Sequence, residues 1–376
     1  MKHQMIKLIS TSTLAVSLLA LSAYSSAHSK SPSFEKSAQQ VSSIEVAFVL
    51  DTTGSMGDLI AGAKQKIWSI ANTIVDINPD ADIRMALVAY RDVGDEYVVR
   101  LHKMSTDIQG VYGNLVSLRA NGGGDTPESV NEALNTAIDK ISWTEGNNTR
   151  RIVFLVGDAP PHMDYGNAPQ YPEVLKQATQ QNITVHAIQA GLSNETARIW
   201  KDIAQRGGGS YIPIPQNGGQ ISQIQTPYDQ PIIDLQRKLD GTVVPYGTDE
   251  MRNDLTQKLE EKAAGSISKR VDNSAFYSKR SSRKEVVTGD GDIVAAIRNE
   301  DIKVGDVAAS ELPAPMQSMS LTEQRAYIDE LIGQRVIIEN DMLELVKKRE
   351  KFIIDAEKSS GSTSSMSFDQ AVRNAL

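Results

Sequence analysis

The chain has 376 residues, a formal net charge of −8 and no cysteine. This length allows one large domain together with a smaller region. The acidic balance argues against a nucleic-acid-binding surface. The absence of cysteine excludes disulfides, thiolate zinc sites and a cysteine nucleophile.

The first 27 residues have the order of a secretory signal peptide. Lys2 and Lys7 form a basic region, residues 14–21 are mostly apolar, and Ser25-Ser26-Ala27 offers small residues for cleavage. We therefore expect an exported protein, periplasmic or secreted, with an uncleaved membrane anchor as the alternative. Residues 28–43 are Ser-rich and polar, which predicts a flexible N-terminus.

Strand and helix patterns alternate from residue 44 to about residue 240. The predicted strands are 44–50, 83–90, 97–104, 151–156, 183–189 and 211–214. The predicted helices are 58–77, 108–118, 127–141 with Pro127 as its first residue, 172–180, 196–204 and 218–239. This alternation predicts an α/β domain over 44–240, with a doubly wound, mostly parallel sheet flanked by helices.

The sequence changes character after residue 240. The predicted segments are a mixed, charged linker or subdomain over 241–315, a long helix within 316–357 and a disordered Ser/Gly-rich tail over 358–376. Inside the first segment we expect a helix at 249–264, a solvated basic loop at 278–284 and a linker at 311–315. A smaller, mainly helical C-terminal region follows from this pattern.

The long helix, which runs from 321 to about 354, carries apolar residues at seven-residue spacing. One row is Leu331, Ile338, Leu345 and Phe352, and the half-charged companion row is Ile328, Arg335, Met342 and Arg349. Packing on its own domain is the simpler interpretation. The alternatives are pairing with the helix at 249–264 and association with another protein through 321–354.

The first predicted strand leads directly into a polar loop. Asp51 stands at the carboxyl end of this strand, where open α/β sheets bind ligands, and Thr53 and Ser55 follow at alternate positions. One carboxylate and two hydroxyls are hard oxygen donors that suit Mg²⁺ or Mn²⁺. The alternative is that Asp51 only caps the following helix.

Two further loops bring acidic residues to the same edge of the predicted sheet. Gly122 to Ser129 contains Asp125, Thr126 and Glu128 before a helix, and Asp158 follows the strand at 151–156. Three loops would then supply a shell for an octahedral ion that keeps several waters. Taken alone, Glu128 is also ordinary in a first helical turn and Asp158 in a turn.

These three loops resemble the metal-ion-dependent adhesion site of von Willebrand factor A domains. The stretch Asp51-Thr52-Thr53-Gly54-Ser55 is similar to the Asp-x-Ser/Thr-x-Ser signature of that family, and the resemblance extends over residues 44–215. It implies a bound Mg²⁺, Mn²⁺ or Ca²⁺ that completes its coordination with an Asp or Glu of a partner protein. The metal ligands that it implies are Asp51, Thr53, Ser55, Asp158 and one residue from 125–128.

The resemblance leaves two candidates for this middle ligand. Many A domains use a Thr, which would favour Thr126. The order Asp125-Thr126-Pro127-Glu128 is similar to the Asp-Ser-Pro-Glu loop of integrin β-type domains, and Asp158 to His162 also resembles the integrin β pattern. This second likeness implies Glu128 as the ligand, with Asp125 supporting it or holding a second ion.

The implied function is a divalent-cation-dependent protein-binding module that serves in adhesion or complex assembly. The order after Glu311-Leu312-Pro313 more loosely resembles a segment of bacterial proteins that carry such domains. One alternative is a Mg²⁺-dependent phosphohydrolase of the haloacid-dehalogenase type, although Thr53 stands where that class needs its second Asp. Another is a structural assembly component. Because no Ser/His/Asp set is visible, we do not expect an enzyme.

Overall fold

A six-stranded sheet forms the centre of the part of the chain that the structure describes. This computed structural model describes residues 42–124, 126–166, 169–216, 224–280, 283–360 and 368–376. The strands are β1 (Ser43–Asp51), β2 (Asp82–Tyr90), β3 (Val99–Ser105), β4 (Thr149–Gly157), β5 (Ile183–Ala190) and β6 (Gly208–Ile214). Their order is β3-β2-β1-β4-β5-β6, with β3 antiparallel to β2 and the other pairings parallel.

Helices cover both faces of this sheet. On one face lie α1 (Gly57–Ile77) and α2 (Ile108–Ser117), and on the other lie α3 (Val130–Asn135), α4 (Tyr171–Gln180) and α5 (Asn194–Arg206). Successive side chains of a strand point to opposite faces. Along β1, Phe48 and Leu50 accordingly pack on the α1 side while Ala47 and Val49 pack on the α3 side. Strands that are buried on both faces are typically continuous apolar runs. The sheet is mostly parallel and has helices on both faces, so the predicted fold class is confirmed.

The prediction that Pro127 begins a helix is wrong. The Thr126–Pro127 peptide is cis, α3 begins at Val130, and the helix continues as a π-helical turn over Thr136–Lys140. The backbone before α3 is tied to neighbouring loops instead, because the N–H of Glu128 donates to the Pro160 carbonyl at 2.9 Å. These cross-loop hydrogen bonds hold residues 126–129 as a loop at the edge of the sheet.

Seven α-helices lie in the rest of the described chain. They are α6 (Asp229–Asp240), α7 (Asp249–Ala264), α8 (Ile267–Lys279), α9 (Ile293–Arg298), α10 (Ala314–Gln317), α11 (Leu321–Ser360) and α12 (Phe368–Ala375). Apolar side chains of α6, α8 and α11 share one cluster. Residues 40–376 form one compact unit, so this region packs with the sheet domain.

The predicted basic loop at 278–284 is only partly a loop, and its described residues are partly or fully buried. Lys279 ends α8, a helix that the sequence pattern did not predict, and it pairs with Asp76 and Glu350. Arg280 is buried and pairs with Glu285 at 3.0 Å. The predicted linker at 311–315 contains one buried residue, Leu312, which lies in a second C-terminal apolar cluster. The composition of these two segments therefore did not predict that Arg280 and Leu312 are buried.

The half-charged row of the long helix α11 faces inward. Ile328, Arg335 and Met342 are buried, and Arg335 lies 2.8 Å from the Asp292 carboxylate. Arg349 pairs with Asp229 at 2.9 Å. The helix packs on α6 and α8, which confirms the simpler interpretation that it packs on its own chain.

Part of the predicted disordered tail is helical. The long helix α11 continues to Ser360, and Phe368–Ala375 form α12, which buries Val372 against α1 and β6. The expected signal peptide over 1–27, most of the expected flexible segment over 28–43 and residues 361–367 lie outside the described residues. None of the helices in the described residues is long and apolar enough to cross a membrane.

Candidate metal centre

Three loops meet at the carboxyl edge of the sheet, as the strand ends predicted. β1 ends at Asp51 and β4 ends at Gly157, directly before Asp158. Residues 118–124 cross this edge, and they are held there by two backbone hydrogen bonds, from Gly54 N–H to the Gly122 carbonyl and from Asn121 N–H to the Thr52 carbonyl, both 3.1 Å. The edge therefore gathers acidic and hydroxyl side chains from separate parts of the sequence.

Asp51, Thr53 and Ser55 form a row of oxygen atoms. Asp51 Oδ1 accepts hydrogen bonds from the Thr53 N–H at 2.9 Å and from Thr53 Oγ1 at 2.7 Å. Thr53 Oγ1 lies 3.3 Å from Ser55 Oγ. Asp51 Oδ2 is buried and has no hydrogen-bond partner among the described residues. One carboxylate oxygen thus stabilises the turn, and the other remains available to a ligand.

The Glu128 carboxylate lies beside this row. Glu128 is buried, and its Oε2 has no hydrogen-bond partner among the described residues. A Cβ built on Gly123 would lie 3.1 Å from both Glu128 Oε1 and Thr53 Cβ, and Gly123 has a φ of +69°. A larger residue at 123 would be strained and crowded, so glycine allows this loop to pass between Thr53 and Glu128. Thr126 is exposed, and Asp125 lies outside the described residues.

Asp158 completes the cluster from the end of β4. Its Oδ2 accepts a 2.7 Å hydrogen bond from Gln216 Nε2, which also donates to the Ser55 carbonyl at 3.2 Å. A Cβ on the preceding Gly157 would lie 3.1 Å from Asp51 Oδ2 and would collide with the Tyr90 hydroxyl. Glycine at 157 therefore lets the end of β4 approach the Asp51 carboxylate.

The carboxyl groups of this cluster repel one another when they are ionised. Burial raises the pKa of Asp51 to about 7, and the nearby Asp158 adds to this rise. Burial also raises the pKa of Glu128 to about 8, followed by repulsion from Asp51, Asp92 and other neighbouring carboxylates. Like charges held together in a low dielectric disfavour ionisation. A bound cation would relieve this repulsion.

Two further acidic residues, Asp92 and Asp95, lie at this edge and were not predicted as site residues. Asp92 Oδ1 accepts a 2.9 Å hydrogen bond from Ser129 Oγ, next to Glu128. Asp95 Oδ2 accepts the N–H of Gly123 at 2.9 Å. Both residues follow the end of β2, so the strand-end rule that identified Asp51 could have found them. They hold the loop that carries Glu128.

His162 is buried, and it contacts the loop that carries Glu128. The backbone N–H of His162 donates to the Glu128 carbonyl at 3.0 Å, and the ring Nδ1 lies 2.8 Å from Asp164 Oδ1. The ring stacks on Tyr165 with centroids 3.9 Å apart, and Nε2 lies 3.4 Å from Asp92 Oδ2. These contacts fix the backbone of Glu128 against the loop that follows β4.

A hard divalent ion requires about six oxygen ligands from side chains and water. Within the described ranges, no three His, Asp or Glu side chains by themselves form a group that could hold a metal ion. A cation here would therefore need the Thr53 and Ser55 hydroxyls and water in addition to the carboxylates. Two buried carboxylate oxygens without partners, Asp51 Oδ2 and Glu128 Oε2, fit such a mixed oxygen shell.

Fold and loops together define the class of this domain. Residues 45–223 match the family model of the von Willebrand factor A domain. The chain therefore carries a von Willebrand factor A domain, which lies within the α/β domain predicted over 44–240. Such domains commonly serve as protein-interaction modules.

One curated relative is the putative ariadne-like RING finger protein R811 of Acanthamoeba polyphaga mimivirus. It is 34% identical over 119 residues, which are 32% of this chain and 11% of the relative. This chain thus spans about a tenth of that relative's length.

Three solved structures resemble this chain at low identity. BatB from Bacteroides thetaiotaomicron is 13% identical with a TM-score of 0.35, covering 59% of this chain and 99% of BatB. The SpRpn10 VWA domain is 14% identical with a TM-score of 0.35, covering 47% and 89%. Proximal thread matrix protein 1 from the mussel byssus is 14% identical with a TM-score of 0.34, covering 47% and 43%.

Proposed function

We propose that the A domain binds a divalent cation, Mg²⁺, Mn²⁺ or Ca²⁺, and uses it to bind a protein partner. The ligands would be Asp51, Thr53, Ser55, Glu128 and Asp158. The observation that carries this proposal is the pair of buried, unpartnered carboxylate oxygens, Asp51 Oδ2 and Glu128 Oε2. Burying an ionised carboxylate without a partner is costly, and a cation would offset that cost. When bound, the cation would offer an open coordination position to an Asp or Glu of the partner.

Within this proposal Glu128, rather than Thr126, is the middle ligand. Glu128 is buried next to Thr53, whereas Thr126 is exposed. This choice agrees with the integrin β-like interpretation of the loop, in which Asp125 supports Glu128. Asp125 lies outside the described residues and enters the proposal from the sequence alone.

Exposed apolar side chains around the site favour a protein as the partner. Leu192 is 92% exposed, Val93 is 57% exposed and Met163 is 41% exposed. They lie on the loops that follow β5, β2 and β4, at the same edge of the sheet as the acidic cluster. Apolar residues around a polar centre are typical of protein-binding surfaces. Adhesion or complex assembly is therefore the role that we propose.

Binding, rather than catalysis, is the proposed activity. In the phosphohydrolase alternative, a second Asp two residues after Asp51 would transfer protons. Thr53 stands there, and its hydroxyl donates to Asp51. A hydroxyl held in this way cannot replace a carboxylic acid as a proton donor near neutral pH. We also propose that the protein works outside the cytoplasm, in the periplasm or after secretion, on the strength of the expected signal peptide over 1–27.

A thermal melt tests the cation site directly. We expect excess Mg²⁺ or Mn²⁺ to raise the Tm of the EDTA-treated protein, since a ligand at a hundred times its Kd adds about 2.7 kcal/mol. Asp51→Ala should fold but lose this shift. Asp139→Ala, which changes an exposed carboxylate near the end of the helical stretch that follows Glu128, is the matched control and should keep the shift. An equal shift in both variants would rule out Asp51 as a ligand.

A further inference from the structure

Tyr90, the last residue of β2, is attached to the loop that carries Asp51. The Tyr90 carbonyl accepts hydrogen bonds from the Thr52 N–H at 2.9 Å and from Thr52 Oγ1 at 2.8 Å. The side chain of Tyr90 is fully buried, and it packs in the apolar cluster on the α3 face of the sheet. The position of the Tyr90 ring is therefore tied to that of the Asp51 loop.

The Tyr90 hydroxyl lies close to the second carboxylate oxygen of Asp51. A Cβ built on Gly157 would collide with this hydroxyl and would lie 3.1 Å from Asp51 Oδ2, so both atoms lie around the same point at the end of β4. Neither atom has a hydrogen-bond partner among the described residues, which means that they do not bond to each other directly. Because glycine has no Cβ, the point between them stays open.

A buried hydroxyl at this position needs a physical reason. Phe would fill the same space without a polar atom, and a buried hydroxyl that lacks a hydrogen bond destabilises the fold. Buried polar groups in proteins are almost always bonded to protein or to ordered water. Burial, followed by the charges of Asp51, Asp158 and Glu128, also raises the pKa of Tyr90 well above its ordinary value, so the hydroxyl keeps its proton. Tyr90 is thus a hydrogen-bond donor beside an acceptor.

We propose that Tyr90 is a positioning residue of the cation site, and that it acts on Asp51 Oδ2 through one buried water molecule. The water accepts a hydrogen bond from the Tyr90 hydroxyl and donates one to the carboxylate, as buried waters do between polar groups that lack other partners. A carboxylate oxygen has lone pairs for more than one partner, so Asp51 Oδ2 can still bind a cation. The Asp51 carboxylate is then held at both oxygens, by Thr53 at Oδ1 and by Tyr90 at Oδ2. This role rests on the cation binding proposed above.

Tyr90→Phe in the full chain tests this role, because it removes only the hydroxyl. We expect Mg²⁺ or Mn²⁺ to bind about tenfold more weakly in isothermal titration calorimetry, at the low end for residues that orient a metal ligand. The Tm in EDTA should fall, since the bond to the water is lost. Tyr112→Phe makes the same change in a buried side chain on the opposite face of the sheet and should keep the affinity.

The two readouts separate positioning from a merely structural role. A structural hydroxyl would change only the Tm, and an unpartnered one would raise the Tm of Tyr90→Phe above that of the wild type. Unchanged affinity, or a higher Tm in EDTA, would therefore overturn the proposal. If the wild type itself bound no cation, the proposed function would fail as well, whereas equal binding by wild type and Tyr90→Phe would refute the role of Tyr90 alone.

A crystal structure of the cation-free protein tests the water itself. We expect a water molecule about 3 Å from both Tyr90 Oη and Asp51 Oδ2, and none at that position in Tyr90→Phe. A wild-type structure without this water would overturn the proposal even if Tyr90→Phe bound the cation more weakly.

Discussion

The two halves of this molecule treat buried charge in opposite ways. At the edge of the A-domain sheet, Asp51 and Glu128 are buried near other carboxylates, and each has an oxygen without a hydrogen-bond partner in the described chain. In the C-terminal helices, buried Arg335 lies beside Asp292, and buried Lys262 lies 2.8 Å from Asp240. The buried ion pairs of the helices stabilise the fold, and we propose that a cation fills the corresponding role at the acidic cluster.

The pKa shifts express the same difference. Burial raises the pKa of both Asp51 and Asp292. For Asp292 the nearby Arg335 guanidinium opposes this rise, whereas for Asp51 the charge of Asp158 adds to it. An opposite charge therefore compensates burial in the helical region, and that compensation is missing at the edge of the sheet.

The largest expected effect is on the paired side. Arg335→Met should lower the free energy of unfolding by about 3–5 kcal/mol, because it leaves Asp292 buried without its partner. Urea denaturation measures the loss. Arg237→Ala, which breaks the exposed pair with Asp234, should cost less than about 1 kcal/mol. Similar losses in both variants would mean that the buried pair has no special role.

Ligand substitutions at the edge of the sheet come next. Glu128→Ala should weaken Mg²⁺ or Mn²⁺ binding by at least about a hundredfold, since even residues that only orient a ligand cost about 10- to 100-fold. Thr126→Ala, on the exposed part of the same loop, should leave the affinity nearly unchanged. Isothermal titration calorimetry measures both, and the reverse order would make Thr126 the middle ligand.

The pH dependence of stability should also differ with and without the cation. The folded protein holds protons on Asp51 and Glu128 up to pH about 7 and about 8, whereas the ordinary pKa values are 3.8 and 4.5. Without a cation, these groups therefore destabilise the fold progressively as pH rises between those limits. In EDTA the Tm should fall from pH 5 to pH 8, and the gain from Mg²⁺ should grow over the same range.

Asp51→Asn is the control for this measurement. It removes one titrating group at nearly constant size, so the decline of the Tm in EDTA should become shallower. A Tm profile in EDTA that is the same for wild type and Asp51→Asn would contradict the raised pKa of Asp51.

The smallest expected effect concerns a residue that only supports the site. Asp95→Ala removes the acceptor for the Gly123 N–H and should loosen the loop between Thr53 and Glu128. We expect about tenfold weaker cation binding, at the low end for residues that orient ligands. Unchanged affinity would mean that the remaining loop contacts suffice.

Local pattern was a good guide where one element decides its own burial. β1, β4 and β5 are mostly apolar because helices cover both faces of the sheet, so their positions and the strand-end residues Asp51 and Asp158 could be predicted. Where several segments share a contact, prediction failed. The sequence pattern predicted Pro127 as the first residue of a helix. The backbone hydrogen bond from the Glu128 N–H to the Pro160 carbonyl instead holds this segment in a loop.

The C-terminal region shows the limit most clearly. Heptad spacing in α11 did not decide which row is packed, and in the structure Arg335 of the half-charged row is buried whereas Phe352 of the apolar row is exposed. Spacing alone cannot reveal that Arg335 contacts Asp292, which is more than forty positions away in the chain. A Ser/Gly-rich tail likewise gives no sign that Val372 is buried against α1 and β6.

By itself, the amino-acid sequence determined the α/β class, the strands and the acidic residues at their ends, because alternating burial and strand polarity are local properties. Tertiary structure alone decided which of these residues meet. It buried Glu128, left Thr126 exposed, brought Asp92 and Asp95 to the site and paired Arg335 with Asp292. Such contacts depend on how distant segments pack, which no local pattern records.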